Sequence, residues 1–109
     1  PQIHPEEYER RRRVWNGMID SKPAAIIMPY GVADLKAIIE LAHLHRVPVC
    51  IRGGGHSVSG LSCVDNVLVI DLCHIRTVSY DPHSQRVSVG GGCTWKDVDR
   101  ELTEHHRAC

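Results

Sequence analysis

The sequence contains no phenylalanine, and aromatic residues make up only 5% of its 109 residues. Its 13 basic side chains are balanced by 13 acidic ones, so no net charge favours non-specific binding to nucleic acid. No apolar run approaches the length of a membrane span, and no secretory signal is visible at the N-terminus. These absences favour one globular domain with neither nucleic acid nor membrane as its partner. We expect a cytoplasmic location.

Cysteine spacing excludes two further classes of protein. The five cysteines form no C-x-x-C pair, so no zinc site is predicted, and their odd number argues against a complete disulfide framework. Buried free thiols are expected instead, which suits a reducing compartment. Several of the eight histidines lie near predicted helix ends, where a cation offsets the helix dipole, and we predict no metal cluster.

Hydrophobic periodicity predicts an alternation of helices and strands. Residues 5–19 read as a helix whose apolar face holds Tyr8, Trp15 and Met18, while Arg10–Arg13 read as its solvated side rather than as a nucleic-acid patch. A strand near 24–28, a helix ending before Pro48 and a strand over "VPVCIR" form a βαβ unit with parallel strands.

The second half of the chain has equally clear signals. "NVLVIDL" predicts a strand buried on both faces, and "TVSYDPHSQRVSVGGG" predicts a hairpin. A last helix follows the N-cap candidate Thr94, with Asp97 as the acid of a capping box. Trp95, Val98 and Leu102 are the expected buried stripe of this helix.

The stretch "CIRGGGHSVSG", residues 50–60, places three glycines and a histidine at the end of an apolar strand. Glycine lets another group approach the backbone closely, so the loop is a candidate ligand site. It is not a P-loop, because Leu61 stands where the motif needs lysine, and it lacks the last glycine of a dinucleotide fingerprint. A glycine-rich turn between two strands explains the local pattern equally well.

Three segments together carry a family resemblance. "PVCIRGGGHSVSGLS", "LVIDLCHIRTVSYDP" and "VSVGGGCTWKDVDREL" resemble the N-terminal part of FAD-linked oxidoreductases of the vanillyl-alcohol oxidase and p-cresol methylhydroxylase type, in the berberine-bridge-enzyme-like branch. The resemblance implies an α+β fold, a small βαβ-based FAD-binding subdomain with a following β-hairpin and C-terminal helix. Residues 1–109 would be the N-terminal part of the FAD-binding domain, with a lead-in helix at about 5–19 and the subdomain at about 22–109.

The resemblance also implies a cofactor site. Backbone N–H groups of the glycine-rich loop would hold the FAD diphosphate as an anion-binding nest. Arg52 would either help by charge or sit in a structural ion pair, and Gly90–Gly92 would be a tight structural passage. His56 matches the histidine that many members join to the 8α carbon of the flavin, the alternative being a histidine that hydrogen-bonds the loop. The implied cofactor-binding residues are Arg52, Gly53, Gly54, Gly55, His56, Ser57, Ser59 and Gly60.

The family pattern extends beyond the residues present here. Its second glycine-rich segment, its substrate domain and its substrate-deprotonating base have no counterpart in this sequence. We therefore expect the partners to be the remainder of the FAD-binding and substrate domains and a small-molecule substrate, and we expect this chain alone to be inactive. The complete enzyme would pass a hydride from an alcohol, amine or sugar carbon to FAD, which dioxygen reoxidises. The rival hypothesis is a non-enzymatic module that binds a nucleotide or a partner chain.

Overall fold

The computed structural model describes residues 4–108, which fold as one parallel sheet, one hairpin and three helices. The predicted α+β fold with its βαβ-based subdomain is confirmed. In chain order the elements are α1 Pro5–Arg12, β1 Ala25–Ile27, α2 Val32–Leu44, β2 Val49–Arg52, β3 Leu68–Asp71, β4 Val78–Asp81, β5 Arg86–Val89 and α3 Trp95–Glu104.

The three-stranded sheet has the order β1-β3-β2, with every pairing parallel. The predicted parallel relation of β1 and β2 is confirmed, but β3 lies between them. Val69 and Ile70 of β3 point to opposite faces and are both completely buried, as the continuous aliphatic run predicts. Because all three strands run the same way, their carboxyl ends meet at one edge of the sheet.

One face of the sheet carries the main core. Ile26, Val69 and Cys63 form its buried centre, and Tyr8 of α1 packs against them. The Tyr8 hydroxyl donates to the carbonyl of Pro23 over 2.7 Å, so a polar group is satisfied at the edge of this apolar cluster.

Helix α1 is shorter than the sequence predicts. It ends at Arg12, and Arg13 is already extended, so residues 13–19 are not helical. The side chains of Trp15 and Met18 are 68% and 91% exposed. The prediction that they share a buried apolar face with Tyr8 is therefore wrong. Trp15 and Asn16 of this segment hydrogen-bond instead to a distant loop, described below.

The arginine run of α1 is only partly solvated. The Arg10 side chain is 74% exposed, as expected, but those of Arg11 and Arg12 are mostly buried in ion pairs. Arg11 contacts Glu7 and Asp71, whereas Arg12 contacts Glu9 and Asp20. These arginines therefore attach the lead-in helix to the domain.

The hairpin and α3 form the second half of the domain. Strands β4 and β5 pair antiparallel, with Tyr80 opposite Val87. Val98 and Leu102 of α3 are buried as predicted, but Trp95 is 75% exposed, so its expected place in the buried stripe is wrong. The side chain at the first position of α3 is therefore open to solvent.

The N-terminus of α3 carries the predicted capping box. The N–H and hydroxyl groups of Thr94 donate to the Asp97 carboxylate over 2.7 and 2.8 Å, and Arg76 donates to both carboxylate oxygens. The Thr94 N–H, then the Arg76 guanidinium, lower the pKa of Asp97 below its ordinary value of 3.8. One carboxylate therefore joins the helix, its cap and the segment before β4.

Asp97→Asn is expected to lower the melting temperature at neutral pH, because the amide removes the charge that these donors stabilise. Since the pKa of the folded state is depressed, the stabilisation is complete above about pH 4 and is lost as the pH falls below it. Thermal unfolding across this range should show the two proteins converging in acid. Glu104→Gln, the same charge change at an exposed position of α3, is the control. A constant difference at every pH would contradict this account.

The four cysteines within residues 4–108 are free, as expected, but of these only Cys63 is buried, and Cys109 lies outside the described residues. Cys63 is only 1% exposed, and burial raises the pKa of its thiol. We expect Cys63 to be the slowest of the four to react with an alkylating reagent in the native protein, and Cys93 to react sooner. Peptide mapping at successive times measures the order. Equal rates for these two thiols in native buffer would be contrary to expectation, whereas equal rates in denaturant serve as the control.

Candidate functional site

The glycine-rich loop begins directly after β2, at the carboxyl edge of the parallel sheet. Ligands of open parallel sheets bind in the crevice outside the carboxyl ends of the strands. The carbonyl of Arg52 still accepts a 2.8 Å bond from the Leu72 N–H, which ties the loop entrance to β3. Beyond it the N–H groups of residues 53–57 have no acceptor within residues 4–108. Five consecutive donors are thus available to an anion.

The glycines of this loop are required by the protein as well as by any ligand. A Cβ atom on Gly53 would lie 2.7 Å from the carbonyl oxygen of Gly91, so the two glycine-rich segments are in backbone contact. Gly55 has a φ of 73°, in the left-handed region that favours glycine. A Cβ atom on Gly54 would lie 2.7 Å from Cδ2 of His56, because the imidazole packs across that residue.

The structure places the Arg52 side chain in an ion pair beneath the loop. Its Nε atom lies 3.8 Å from the Asp71 carboxylate, its side chain is only 16% exposed, and it donates to the carbonyl of Arg11. Asp71 also faces Arg11 at 3.7 Å. Of the two roles open to Arg52 in the sequence, the geometry favours the structural ion pair.

The rest of the loop is held by its own hydroxyl groups. The Ser57 Oγ atom accepts from the N–H of Leu61 over 3.2 Å and lies 3.3 Å from the Oγ of Ser59. The N–H of Gly60 donates to the Ser57 carbonyl, and Gly60 has a φ of 78°. These hydrogen bonds close the turn, and the hydroxyl groups of Ser57 and Ser59 are engaged within the loop.

His56 lies on an open cleft between the loop and α3. The cleft has a volume of about 620 Å³, and we call it the His56 cleft. The imidazole is exposed, and no hydrogen bond to it exists within residues 4–108. The alternative that His56 hydrogen-bonds the loop is therefore not supported by the described residues. The lining residues are Gly54, His56, Val89, Cys93, Thr94, Trp95 and Val98.

Segment 13–19, which the sequence assigned to a helix, lies against the loop. The Trp15 N–H donates to the Gly55 carbonyl over 2.9 Å, and the Asn16 side-chain amide donates to the Val58 carbonyl over 2.9 Å. The Trp15 ring centroid is 6.2 Å from that of His56, with the rings tilted by 37°. Periodicity could not reveal these residues, since their partners lie about 40 positions away.

Sequence reasoning also missed the far wall of the cleft. Cys93 and Trp95, just before and at the start of α3, line the same cleft as His56, although the sequence placed Trp95 in the buried stripe of the helix and gave the glycines before them a structural role. That structural role fits the packing, since a Cβ atom on Gly90 would lie 2.4 Å from the Ile75 carbonyl oxygen. Within residues 4–108 no group of three or more His, Cys, Asp or Glu side chains could hold a metal ion. None of the helices described there is long and apolar enough to span a bilayer.

Comparison with known sequences gives one consistent group. The FAD binding domain family matches residues 23–109. The FAD-linked oxidoreductase aurO of Gibberella zeae is 35% identical over 99 residues, which cover 91% of this chain and 20% of that protein. Tetrahydroberberine oxidase of Berberis wilsoniae is 33% identical over 85 residues, covering 76% of this chain and 16% of that protein.

Solved structures agree with the sequence relatives. BBE-like 1 of Physcomitrella patens superposes with a TM-score of 0.69 at 31% identity, covering 80% of this chain and 19% of that one. For 6-hydroxy-D-nicotine oxidase of Arthrobacter nicotinovorans the TM-score is 0.80 at 23% identity, covering 94% of this chain and 23% of that one, which shows a shared fold. The chain spans about 20% of the length of the first curated relative it matches.

Proposed function

Because this chain belongs to the FAD binding domain family, we propose that it is the FAD-binding portion of a flavin-dependent oxidase of the berberine-bridge-like type. The parent enzyme would oxidise an alcohol, amine or sugar carbon. The observation that carries the proposal is the run of five N–H groups, at the carboxyl edge of the sheet, that find no acceptor among residues 4–108. We assign the lead-in to about residues 5–19 and the FAD-binding subdomain to about 22–109.

The loop has the chemistry that a diphosphate needs. Phosphate oxygens accept hydrogen bonds from successive backbone N–H groups, and residues 53–57 offer those donors without side chains on the first three positions. A Cβ at Gly53 would displace Gly91. Gly53 therefore both leaves the backbone open to a ligand and allows the contact between the two glycine-rich segments. Arg52 supports this loop from its ion pair with Asp71 rather than by reaching the ligand.

His56 is the residue that we propose to carry the flavin. Its imidazole is exposed on the cleft, has no hydrogen-bond partner within residues 4–108, and is nucleophilic when neutral. His56 would hold the flavin through a bond between an imidazole nitrogen and the 8α-methyl carbon. The imidazole and the methyl group would each lose a proton, and dioxygen, as the terminal oxidant, would take up the two electrons and become hydrogen peroxide.

The cleft residues supply binding and positioning rather than a full catalytic set. When bound, FAD supplies the hydride acceptor, and the protein orients and tunes it. Among the lining residues only His56 and Cys93 have ionisable side chains, and His56 is assigned to the flavin. We therefore propose that substrate deprotonation depends on residues outside this chain, and that the chain alone does not turn over.

The test compares this chain alone with the complete reading frame that encodes it. The complete product should be yellow, should keep its colour after acid precipitation, and should consume oxygen with members of a panel of alcohols, amines and sugars. The 109-residue chain with added FAD should form no peroxide. Oriented binding of reactants contributes about 7–11 kcal/mol to a typical enzymatic rate, so its loss is decisive.

Two outcomes would contradict the proposal. Robust peroxide formation by the short chain alone would show that no further residues are needed. A colourless complete product that takes up no FAD would favour the rival hypothesis of a non-enzymatic nucleotide- or partner-binding module.

A further inference from the structure

We infer that Trp15 is a positioning residue that holds the His56 imidazole in the orientation needed for flavin attachment. The inference rests on the proposed function of His56, but its evidence is separate. It comes from segment 13–19, which is remote in sequence and lies directly against the glycine-rich loop.

Segment 13–19 attaches to the loop on both sides of His56. On one side the Trp15 N–H donates to the Gly55 carbonyl, and on the other the Asn16 side-chain amide donates to the Val58 carbonyl, each over 2.9 Å. Two hydrogen bonds from consecutive residues therefore fix the loop backbone one residue before and two residues after the histidine. This arrangement places one side chain, that of Trp15, beside the imidazole.

No hydrogen bond or ion pair among the described residues restrains the imidazole. Within residues 4–108 it has no hydrogen bond, so packing alone sets its rotamer. One edge lies over Gly54, where an added Cβ would approach Cδ2 to 2.7 Å and Nε2 to 3.2 Å. The Trp15 ring, 6.2 Å away between centroids, is the aromatic neighbour. Gly54 and the Trp15 indole are therefore two neighbours that limit the positions open to the ring.

The Trp15 side chain contributes little to the core. It is 68% exposed, and its backbone N–H, rather than its ring, bonds to Gly55. The aromatic neighbour of the exposed indole is the proposed flavin ligand, His56. The ring is therefore removable with little effect on folding, which makes its effect on His56 measurable.

The experiment uses Trp15→Ala and Trp15→Phe in the complete reading frame, with Met18→Ala as the matched control. Met18 lies in the same segment, is 91% exposed and has no described side-chain contact with the loop. All three variants keep the backbone N–H of Trp15. Two quantities are measured: the nuclear Overhauser signals between the His56 ring and Gly54, which report the ring position and are assigned by their loss in His56→Ala, and the rate at which added FAD becomes acid-stable.

We expect Trp15→Ala to weaken the Overhauser signals between the His56 ring and Gly54 and to slow attachment about 10-fold to 100-fold, as a misplaced reacting group does. FAD affinity before attachment should change less than about 2-fold, because the N–H donors of residues 53–57 remain in place. Trp15→Phe should restore most of the rate, and Met18→Ala should match the unmodified protein.

An attachment rate for Trp15→Ala equal to that of the unmodified protein would overturn the inference. So would a rate loss that only parallels lost FAD affinity, since that would mean a damaged loop. If the unmodified protein never forms an acid-stable flavin, the covalent function of His56 fails, and the ring signals still decide positioning. Unchanged His56 signals in Trp15→Ala would then refute it.

Discussion

Replacing His56 by alanine is expected to abolish acid-stable flavin in the complete protein, while leaving it able to bind FAD reversibly. The diphosphate donors are backbone N–H groups of residues 53–57, and alanine retains them. The imidazole is exposed and without hydrogen bonds in the described part of the chain, so its removal should change the free energy of unfolding by about 0.5 kcal/mol or less. The variant therefore separates the covalent link from folding.

The measurement is the flavin absorbance of the acid-precipitated pellet, together with the reduction potential of the reversibly bound flavin. A linked imidazole withdraws electrons from the ring, so the potential should fall when the link is lost. His83→Ala is the matched control, because His83 is an exposed histidine in the hairpin turn. A yellow pellet from His56→Ala would assign the link to another residue.

Gly92→Ala is expected to cause the largest loss of stability of any single change considered for this chain. An added Cβ would lie 1.9 Å from the carbonyl oxygen of Leu72 and 3.1 Å from the Cα of Cys73. Both neighbours are backbone atoms at the end of β3, which is the most buried strand, so neither can move without disturbing the sheet. We expect a loss of about 3 kcal/mol or more in the free energy of unfolding.

Gly17→Ala provides the control for this change. An added Cβ at Gly17 meets nothing within 4 Å, and Gly17 has no positive φ, so the substitution should be neutral or stabilise by about 0.4–1 kcal/mol. Urea-induced unfolding of both variants gives the comparison. Equal midpoints would mean that the tight passage at Gly90–Gly92 does not hold the hairpin to β3.

The consequence of Gly92→Ala should extend to the cofactor loop. Gly91 forms the backbone contact with Gly53, so displacing the second glycine-rich segment also displaces the first. FAD affinity of the folded fraction should therefore fall together with stability. Gly17→Ala should leave FAD affinity unchanged, because Gly17 makes no contact with that passage.

Local sequence determined the elements whose signals are contained within a few residues. The aliphatic run of β3 predicts a strand buried on both faces, and the capping box of Thr94 and Asp97 predicts where α3 begins. The consecutive glycines after β2 predict a ligand-binding loop, because residues without side chains leave the backbone open to another group. In each case the interacting groups are near neighbours in the chain, so their pattern is visible without the fold.

Only the tertiary structure decided the features whose partners are distant in the sequence. Helix α1 ends at Arg12 because Trp15 bonds to Gly55, and no periodicity encodes that bond. Arg52 is engaged by Asp71 because β3 lies between the strands of the βαβ unit, and Trp95 is exposed because α3 packs on β4 through other residues. Hydrogen bonds and ion pairs between remote segments carry no local signature, since they exist only after the strands have paired. The cleft beside His56 is assembled in this way from the loop after β2 and the start of α3, segments about 40 residues apart.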